Sequence, residues 1–238
     1  MRLLNRCLGI GRQLVPHYCL LCGAASNPSL VCVACDRALE RPPVARCPVC
    51  ALPAPAARVC GACLTHPPHY QAVTAAFIYA YPLDALIQSF KYGANLVVGR
   101  FLGEALAVAV AEERVDLVVP MPLSLARLRE RGFNQAHEIA RYVAAARSIP
   151  IGRAVCRRVL DTAAQAALPW KARTANVRGA FACDADLDGR TVAIVDDVMT
   201  TGATLDELAR CMRRAGAREI RAWVAARALR RDNPVAAF

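Results

Sequence analysis

Eight of the twelve cysteines in this 238-residue chain form four Cys-x-x-Cys pairs near its start. In each half of this segment nine residues separate the two pairs, so the halves repeat one spacing. The candidate ligands are Cys19, Cys22, Cys32 and Cys35 in the first cysteine set, and Cys47, Cys50, Cys60 and Cys63 in the second cysteine set. A tight Cys-x-x-Cys turn places two thiolates on one ion, and four thiolates make the tetrahedral site that structural zinc prefers. The spacing therefore predicts a zinc-ribbon module that binds one or two zinc ions.

The segment around these cysteines is rich in proline and has no periodic apolar pattern. A region this short cannot bury enough apolar surface to fold by itself, so a bound metal would supply the missing stability. Redox-active dithiols would instead need one pair beside a βαβ unit. His66 and His69 lie nearby, but two complete four-cysteine sets leave no vacancy, and we interpret both as solvated loop residues. The module either caps the rest of the protein or presents a surface to nucleic acid or a partner, and both alternatives stay open.

No segment of the chain is long and apolar enough to predict a membrane span. Residues 101–111 form the richest apolar stretch, and they include Glu104. Residues 1–16 contain three arginines and lack the unbroken apolar core of a secretory signal. We therefore expect a cytoplasmic protein in which the four isolated cysteines remain reduced, namely Cys7, Cys156, Cys183 and Cys211.

Composition and pattern divide the chain into two predicted domains, a cysteine-rich module over residues 1–70 and a larger domain over residues 71–238. In the larger domain, strand-like apolar runs alternate with segments whose apolar residues recur at helical spacing. We predict strands at 73–81, 115–119, 154–159, 191–195 and 220–226, and helices at 83–92, 97–111, 134–147 and 203–215. Asn134 is the expected N-cap of its helix, and Gly216 occupies a C-cap position after the last one. This alternation predicts an α/β fold with a mainly parallel sheet flanked by helices.

The most informative segment is a buried-type strand that ends in two adjacent carboxylates, Asp196 and Asp197. A turn of small and hydroxylic residues follows and opens a helix, with the sequence Thr200, Thr201, Gly202, Ala203, Thr204. Backbone N–H groups at the start of a helix and threonine hydroxyls form a cradle for an anion. Carboxylates beside such a cradle suit a ligand that carries hydroxyl groups next to its phosphate, as ribose 5-phosphate does. The Walker A and dinucleotide-binding fingerprints are absent, which excludes both of those nucleotide-binding loops.

This segment resembles the phosphoribosyl pyrophosphate (PRPP) motif of type I phosphoribosyltransferases. Three other motifs narrow the resemblance to the ComF family of competence proteins and GntX-like proteins: Lys91-Tyr92-x2-Asn95, Arg131-Gly132-Phe133-Asn134-Gln135, and Thr162-x2-Gln165-x2-Leu168-x4-Arg173-x2-Asn176. The four cysteine pairs ahead of the transferase domain fit the same family, and the resemblance covers nearly the whole chain. It implies a type I phosphoribosyltransferase fold with an N-terminal double zinc ribbon, PRPP binding with Mg²⁺, and a link to the uptake of single-stranded DNA in natural transformation.

The resemblance implies that Asp196 and Asp197 bind the ribose hydroxyls of PRPP. Residues 200–204 would cradle its 5-phosphate. The pyrophosphate would lie against Met121 and Pro122, which follow an earlier predicted strand. Mg²⁺ would accompany the PRPP.

Basic residues near these motifs are expected to neutralise the phosphates. Arg127, Arg129 and Arg131 follow the pyrophosphate loop, and the planar arginine fork matches phosphate oxygens. Each of the three has the alternative of lying on a solvated helix face. Lys91 would offer a point charge to a phosphate. Together with the two aspartates, Arg131 and Lys91 are the residues that we expect to act in catalysis.

Residues 161–179 are polar and basic without a clear period, and we predict a loop there. By resemblance this loop corresponds to the mobile hood that closes over the active site and excludes water. The residues expected to reach the ligand from the hood are Gln165, Arg173 and Asn176.

The expected chemistry is displacement at the anomeric carbon of PRPP. Pyrophosphate is the leaving group, and arginine and Mg²⁺ stabilise its charge. The motif offers no obvious general base, because Met199 and two threonines follow Val198. Three functions therefore stay open: phosphoribosyl transfer to an unknown acceptor, PRPP binding without turnover, and handling of single-stranded DNA.

The net charge of +11 favours a polyanion or a phosphorylated substrate. All the basic residues except Lys91 and Lys171 are arginines. Proteins that bind single strands combine basic residues with aromatic ones. Here aromatic residues make up 6% of the chain and do not cluster with arginine along the sequence, which favours the first two functions. The expected partners are PRPP and, in the third case, single-stranded DNA and DNA-uptake proteins.

Overall fold

The computed structural model describes residues 17–160 and 177–229. The cysteine-rich region contains helix α1 (Val33–Ala38), a 3₁₀ turn (Pro55–Ala57) and helix α2 (Gly61–Thr65). Cys32 is the N-cap of α1, and Cys60 is the N-cap of α2. The two halves therefore fold alike, as their identical spacing predicts. Within the described residues, no helix is long and apolar enough to cross a membrane.

The larger region alternates strands and helices. Its elements are β1 (Ala72–Ile78), α3 (Leu83–Tyr92), α4 (Leu96–Ala109), β2 (Leu117–Pro120), α5 (Leu125–Arg131), α6 (Gln135–Arg147), β3 (Cys156–Arg158), β4 (Phe181–Cys183), β5 (Thr191–Met199), α7 (Ala203–Arg214) and β6 (Glu219–Arg227). β1, β6, β5 and β2 form a parallel sheet in that order, and β3 pairs with β4. The predicted α/β fold with a parallel sheet and flanking helices is confirmed.

The central strands are buried on both faces of the sheet, which explains their continuous apolar sequence. On β6, Ala222 and Val224 face one core cluster, whereas Trp223 faces the other. α3, α4 and α6 cover the Trp223 side, and α7 with the β3–β4 pair covers the opposite side. In sheets of this kind the ligand site forms at the carboxyl ends of the strands.

The two cysteine sets pack on opposite faces of the sheet. Cys19 of the first set packs in the core cluster under α3 and α4. Nearby in the chain, the Glu40 carbonyl oxygen accepts the N–H of Ile78 in β1 (2.8 Å). The second set enters the cluster under α7 through Cys47 and Cys50, both buried. Equal spacing in the sequence therefore produces two sites with different surroundings.

Helix α5 and strand β4 are absent from the sequence prediction. Ser124 is the N-cap of α5, and its hydroxyl oxygen accepts the N–H of Arg127 (3.4 Å); Gly132, the C-cap, lies in the left-handed region with φ 76°. No residue of α5 is buried, so the helix has no apolar stripe for periodicity to reveal. β4 spans three residues, which is too short for an alternating pattern.

Cys156 and Cys183 form a disulfide between β3 and β4, so the expectation that both remain reduced is wrong. The antiparallel register places the two residues directly opposite each other, with their Cα atoms 4.2 Å apart. Residues that face each other in an antiparallel pair of strands lie close together, whatever the length of the chain between them. The sequence does not reveal which residues of β3 and β4 face each other. Cys211 packs against the core, as expected, and its Sγ–H donates to the Phe181 carbonyl oxygen (3.6 Å).

The close crossing of α4 and α6 depends on Gly103. A Cβ atom at this position would lie 2.6 Å from the Tyr142 Cβ atom and 2.9 Å from the Ile139 carbonyl oxygen. Gly103→Ala should therefore lower the free energy of unfolding by about 1–3 kcal/mol through overpacking, measured by chemical denaturation. Gly61→Ala is the matched control, since a Cβ there meets no atom within 4 Å. An equal loss in both variants would contradict this account of the crossing.

Candidate functional site

The carboxyl ends of β2 and β5 border a cavity of about 770 Å³. Loops that follow neighbouring parallel strands meet at this edge of a sheet, so residues distant in sequence lie together here. The predicted site residues that line the cavity are Lys91, Met121, Pro122, Arg127, Arg131, Asp196, Asp197, Thr200 and Thr204. The fold therefore brings to one place the motifs that the sequence singled out around the ribose, the 5-phosphate and the pyrophosphate.

Asp196 and Asp197 lie near the end of β5, beside a lysine from α3. Asp197 is 9% exposed, and its Oδ2 atom lies 2.8 Å from the Nζ atom of Lys91. Its Oδ1 atom accepts the N–H of Val198 (2.6 Å), while Asp196 Oδ1 accepts the N–H of Asp197 (2.9 Å). Lys91 is expected to contact a phosphate, whereas in the structure its ammonium group pairs with Asp197.

Burial and mutual repulsion set the ionisation of this cluster. Burial raises the pKa of Asp196, and the adjacent Asp197 carboxylate raises it further, to about 7, although the charge of Lys91 acts in the opposite direction. Burial would lower the pKa of Lys91, but the Asp197 and Asp196 carboxylates outweigh burial and raise it above its ordinary value. The cluster therefore holds an ion pair next to an aspartate that titrates near neutral pH.

The turn after β5, residues 200–204, lies at the start of α7, and we call it the anion-binding turn after the role that the sequence predicts for it. Gly202 is the N-cap of α7 and has φ 86°, in the left-handed region that favours glycine. Thr201 Oγ1 accepts the N–H of Ala203 (3.1 Å). A small cavity of about 20 Å³ lies against Thr200, Thr201 and Gly202, at the end of the helix that favours negative charge. Ala203 begins α7, and in the described structure it lines neither cavity.

Another wall of the large cavity is basic. The Nη1 group of Arg131 donates to Gln135 Oε1 (3.0 Å), and its guanidinium carbon lies 5.5 Å from the centre of the Tyr92 ring. Among the described residues, no acceptor lies within hydrogen-bond distance of the buried Nε of Arg131 or Nε2 of Gln135. Buried donors are nearly always paired, so these two are suited to a ligand. Arg127 lines the same cavity, whereas the described part of the chain leaves Arg129 exposed and outside it.

Asn134 fixes the geometry of this basic wall. Its Oδ1 atom accepts the N–H of His137 (3.2 Å), so the predicted N-cap of α6 is confirmed. Its Nδ2 group donates to the Met121 carbonyl oxygen (3.1 Å). One side chain thus ties the start of α6 to the loop after β2, and it brings Gln135 into the cavity that Pro122 also lines.

The cavity is also lined by polar and aromatic side chains that were not expected at the site, among them Tyr79, Gln88, Tyr92, Glu130, Gln135 and Arg158. Tyr92 and Gln135 belong to two of the motifs that carry the family resemblance, and this was the available signal for them. The others stand in no distinctive pattern, and only the fold identifies them. Aromatic residues do not cluster with arginine along the sequence, and this spacing disfavours the binding of single-stranded DNA. The fold nevertheless places Tyr92 against Arg131, so spacing along the sequence does not show which rings and cations meet.

Gln165, Arg173 and Asn176, the predicted contacts of the hood, lie outside the described residues. The chain that precedes them is described. Arg158 of β3 lines the cavity, and its Nε group donates to the Leu160 carbonyl oxygen (3.2 Å). β3 thus brings the chain to the cavity immediately before residues 161–176.

Each cysteine set forms a compact cluster of donors. In both sets, all four Sγ atoms lie within 4.8 Å of one another. The sulfurs of Cys22 and Cys32 are 3.8 Å apart, and those of Cys50 and Cys60 are 3.6 Å apart. Sulfurs at the corners of a zinc tetrahedron stand about 3.8 Å apart, given a Zn–S distance of about 2.3 Å. The donor geometry therefore fits zinc at both sites.

Four thiols this close together cannot all ionise unless a cation is present. In the second set, burial opposes ionisation of Cys47, but hydrogen bonds from backbone N–H groups lower its pKa to about 7. Burial and the neighbouring Cys47 charge raise the pKa of Cys50 to about 11, and burial with the Cys50 charge raises that of Cys63 as well. A bound divalent ion removes this conflict, because metal ligands are deprotonated thiols. The cysteines therefore fit structural zinc, as predicted.

His69 connects the second cysteine set to α7. Its backbone N–H donates to Asp206 Oδ1 (2.6 Å), and its ring Nδ1 lies 2.9 Å from the same oxygen. His69 is an exposed loop residue, as interpreted, and it also contacts Asp206. His66 is exposed, and its Nδ1 atom contacts Thr65 Oγ1 (3.0 Å).

Comparisons with known proteins agree with both parts of the structure. A family model of the phosphoribosyl transferase domain matches residues 130–237, and a family model of the double zinc ribbon domain matches residues 10–64. With the parallel sheet and the two four-cysteine sites, these matches define a protein of the phosphoribosyltransferase fold that carries an N-terminal double zinc ribbon. The predicted fold class is confirmed.

Two relatives narrow this class. The chain is 32% identical to DNA utilization protein YhgH of Escherichia coli K12 over 225 residues, which cover 90% of this chain and 99% of that protein. It is 34% identical to Competence protein F of Haemophilus influenzae over 182 residues, or 72% of this chain and 80% of that one. The chain therefore belongs to the ComF/YhgH family, which confirms the predicted family.

Among solved structures, the chain is similar to glutamine phosphoribosylpyrophosphate amidotransferase from Bacillus subtilis complexed with ADP and GMP. The TM-score is 0.38 and the identity 22%, and the match covers 53% of this chain and 26% of that chain. The family assignment rests on the sequence relatives alone.

Each cysteine set supplies four sulfur ligands, so we predict that elemental analysis will give a ratio of about two zinc ions per chain. Cys22→Ser should reduce this ratio to about one, because three thiolates and a hydroxyl hold zinc poorly. Cys211→Ser is the control, since Cys211 lies outside both sets and should leave the ratio unchanged. A ratio that stays the same in Cys22→Ser would disprove zinc at the first set.

The raised pKa of Asp196 predicts a pH-dependent stability. Between the ordinary carboxyl pKa of about 4 and the folded value of about 7, Asp196 is protonated in the folded chain and ionised in the unfolded chain. The folded state binds more protons in this window, so the free energy of unfolding falls as pH rises through it. Asp196→Asn removes that dependence, and its stability relative to the wild type should increase from about pH 4 to about pH 7. Denaturant titrations at both pH values test this, with exposed Asp188→Asn as the control; a relative stability that stays constant would refute it.

Proposed function

We propose that the chain binds PRPP with Mg²⁺ in the cavity at the ends of β2 and β5, and transfers its phosphoribosyl group to an acceptor. One observation carries the proposal. Around the large cavity and the small one that shares Asp196, Thr200 and Thr204 with it lie two carboxylates, an anion-binding turn, and two buried donors that have no acceptor among the described residues. Each of these suits a different portion of PRPP.

The carboxylates suit the ribose. Vicinal hydroxyls donate hydrogen bonds, and the oxygens of Asp196 and Asp197 accept them. The 5-phosphate would lie in residues 200–204, where first-turn N–H groups of α7 and threonine hydroxyls donate. Lys91 would hold Asp197 in position through their ion pair, so it would act on the sugar through Asp197.

The basic wall suits the pyrophosphate. Pyrophosphate oxygens would supply the acceptors that Arg131 Nε and Gln135 Nε2 lack among the described residues. Arg127 would add a second positive charge from α5, and Met121 and Pro122 border the same space. These contacts would strengthen as charge develops on the departing pyrophosphate, which is the condition for accelerating its release.

In the transfer, a nucleophile of the acceptor would attack the anomeric carbon while the bond from that carbon to the pyrophosphate oxygen breaks. Asp196 and Asp197 would hold the ring, and Arg131 would hold the leaving group, so that the two bonds are aligned. Carboxylate oxygens are donors that Mg²⁺ prefers, so the residues present fit this ion. When bound, Mg²⁺ would neutralise charge on the pyrophosphate.

The names of the relatives refer to DNA utilization and to competence, and we propose that this chain also acts in the handling of incoming DNA. A second candidate function, binding of single strands without turnover, is favoured by the contact between Tyr92 and Arg131 at the cavity. Aromatic rings beside cations suit exposed nucleobases and their phosphates.

Calorimetric titration with Mg²⁺–PRPP tests the proposed binding. The wild type should bind, and Asp196→Asn/Asp197→Asn should bind at least about 100-fold more weakly, because neutral amides replace the two carboxylate acceptors. Asp188→Asn, which changes an exposed aspartate outside the described cavity, should bind as the wild type does. Circular dichroism of all variants shows whether each remains folded.

Failure of the folded, zinc-loaded wild type to bind would contradict the proposal. Single-strand affinity that falls steeply with salt and survives in the double variant would then support the second candidate. Pyrophosphate release in the presence of candidate amines or nucleobases separates transfer from binding without turnover.

A further inference from the structure

Arg227 is a buried cation at the end of β6 that the proposed function does not use. It is 1% exposed. Its Nε group donates to the Cys50 carbonyl oxygen (2.8 Å), and its Nη1 group donates to the carbonyl oxygens of Met199 (2.9 Å) and Thr200. Cys50 belongs to the second cysteine set, and Thr200 begins the anion-binding turn. One guanidinium group therefore joins a metal-binding loop to the turn.

Other contacts join the same two parts of the molecule. Tyr70 is buried beside the turn, and a Cβ atom built on Gly202 would lie 2.9 Å from the Tyr70 hydroxyl oxygen. His69 holds Asp206 in the first turn of α7. The second cysteine set also shares a core cluster with Met199. The contacts of the first cysteine set lie elsewhere, in the cluster under α3 and α4.

Peptide geometry shows how Arg227 acts on the turn. In a trans peptide, the C=O group and the following N–H group point in opposite directions. Drawing the Met199 and Thr200 carbonyls toward the guanidinium group therefore directs the N–H groups of Thr200 and Thr201 away from it. Both threonines line the small cavity. The orientation of these potential phosphate donors thus depends on a side chain that is itself held by the Cys50 carbonyl.

We propose that Arg227 is a positioning residue that couples the second cysteine set to the anion-binding turn, so that metal at that set holds the turn in its binding geometry. The inference rests on the proposed function, because the ligand of the turn is the 5-phosphate of PRPP. Coupling between two sites is reciprocal. PRPP on the turn must therefore stabilise metal at the second set, whereas the first set, which has the same spacing, serves as an internal control.

The test uses the full-length, zinc-loaded chain. Alkylation by N-ethylmaleimide is followed at each cysteine by peptide mass spectrometry, with and without saturating Mg²⁺–PRPP. In the wild type, PRPP should slow alkylation of the second set by about tenfold and leave the first set unchanged. Equal protection of both sets, or protection of neither while PRPP binds, would overturn the proposal.

Variants identify Arg227 as the connection. Arg227→Met should abolish the protection and weaken PRPP binding by about tenfold, whereas Arg227→Lys, which keeps a donor, should restore part of both. Arg147→Met is the matched control, because Arg147 also donates to a backbone carbonyl (Glu113, 3.3 Å) but lies at the end of α6. Protection that persists in Arg227→Met would overturn the proposal. If Arg227→Met does not fold, Arg227→Lys carries the test, and full protection in it at wild-type PRPP affinity would count against the coupling.

A ligand-free measurement separates this inference from the proposed function. If the wild type does not bind PRPP, the proposed function fails, but the coupling is still visible as hydrogen–deuterium exchange in residues 199–205. Exchange there should rise by about tenfold in Arg227→Met, while exchange in residues 19–35 stays as in the wild type. No rise in residues 199–205 would overturn the coupling.

Discussion

The ion pair between Lys91 and Asp197 is the interaction on which the site depends. Two adjacent carboxylates at the end of a buried strand repel each other, and the cation that contacts Asp197 does not belong to the strand itself. The cation comes from α3, which is held against the sheet by Ile87 and Phe90, both fully buried. Apolar packing on one face of the sheet therefore places the cation at the edge of the cavity. Asp197 has a partner of opposite charge because a helix distant from it in sequence is well packed.

Strand register determines which loops lie beside the two carboxylates. β5 lies between β2 and β6, and Pro120 at the end of β2 pairs with Val195, the residue before Asp196. Met121 then donates its N–H to the Val195 carbonyl oxygen (2.8 Å), so the loop after β2 starts beside the two carboxylates. A shift of this register by one residue would turn every side chain of β5 to the opposite face and separate the two halves of the site.

Much of the fold follows from the sequence because its elements are long and periodic. Apolar runs fix β5 and β6, and helical spacing fixes α4 and α6. α5 and β4 could not be predicted in this way, since an exposed arginine-rich helix and a three-residue strand carry no apolar period. The motifs indicated Asp196, the turn and Arg131, but Arg158 and Glu130 reach the cavity only through tertiary packing. The disulfide between Cys156 and Cys183 depends on strand register, which spacing in the sequence does not encode.

The identical spacing of the two cysteine sets determines metal geometry and leaves open what each site does. Spacing fixes how four sulfurs surround an ion, whereas function depends on the residues that pack against each site. Cys47 is fully buried in a core that also contains Met199 and Leu205, so this core crosses the change in composition near residue 70. A small region that cannot form its own core gains stability from metal and from its neighbour together. Within the described residues, the second set therefore packs in the same core as the end of β5 and the start of α7, whereas the first set packs in the other core, so the surroundings of the two sets differ despite their matching spacing.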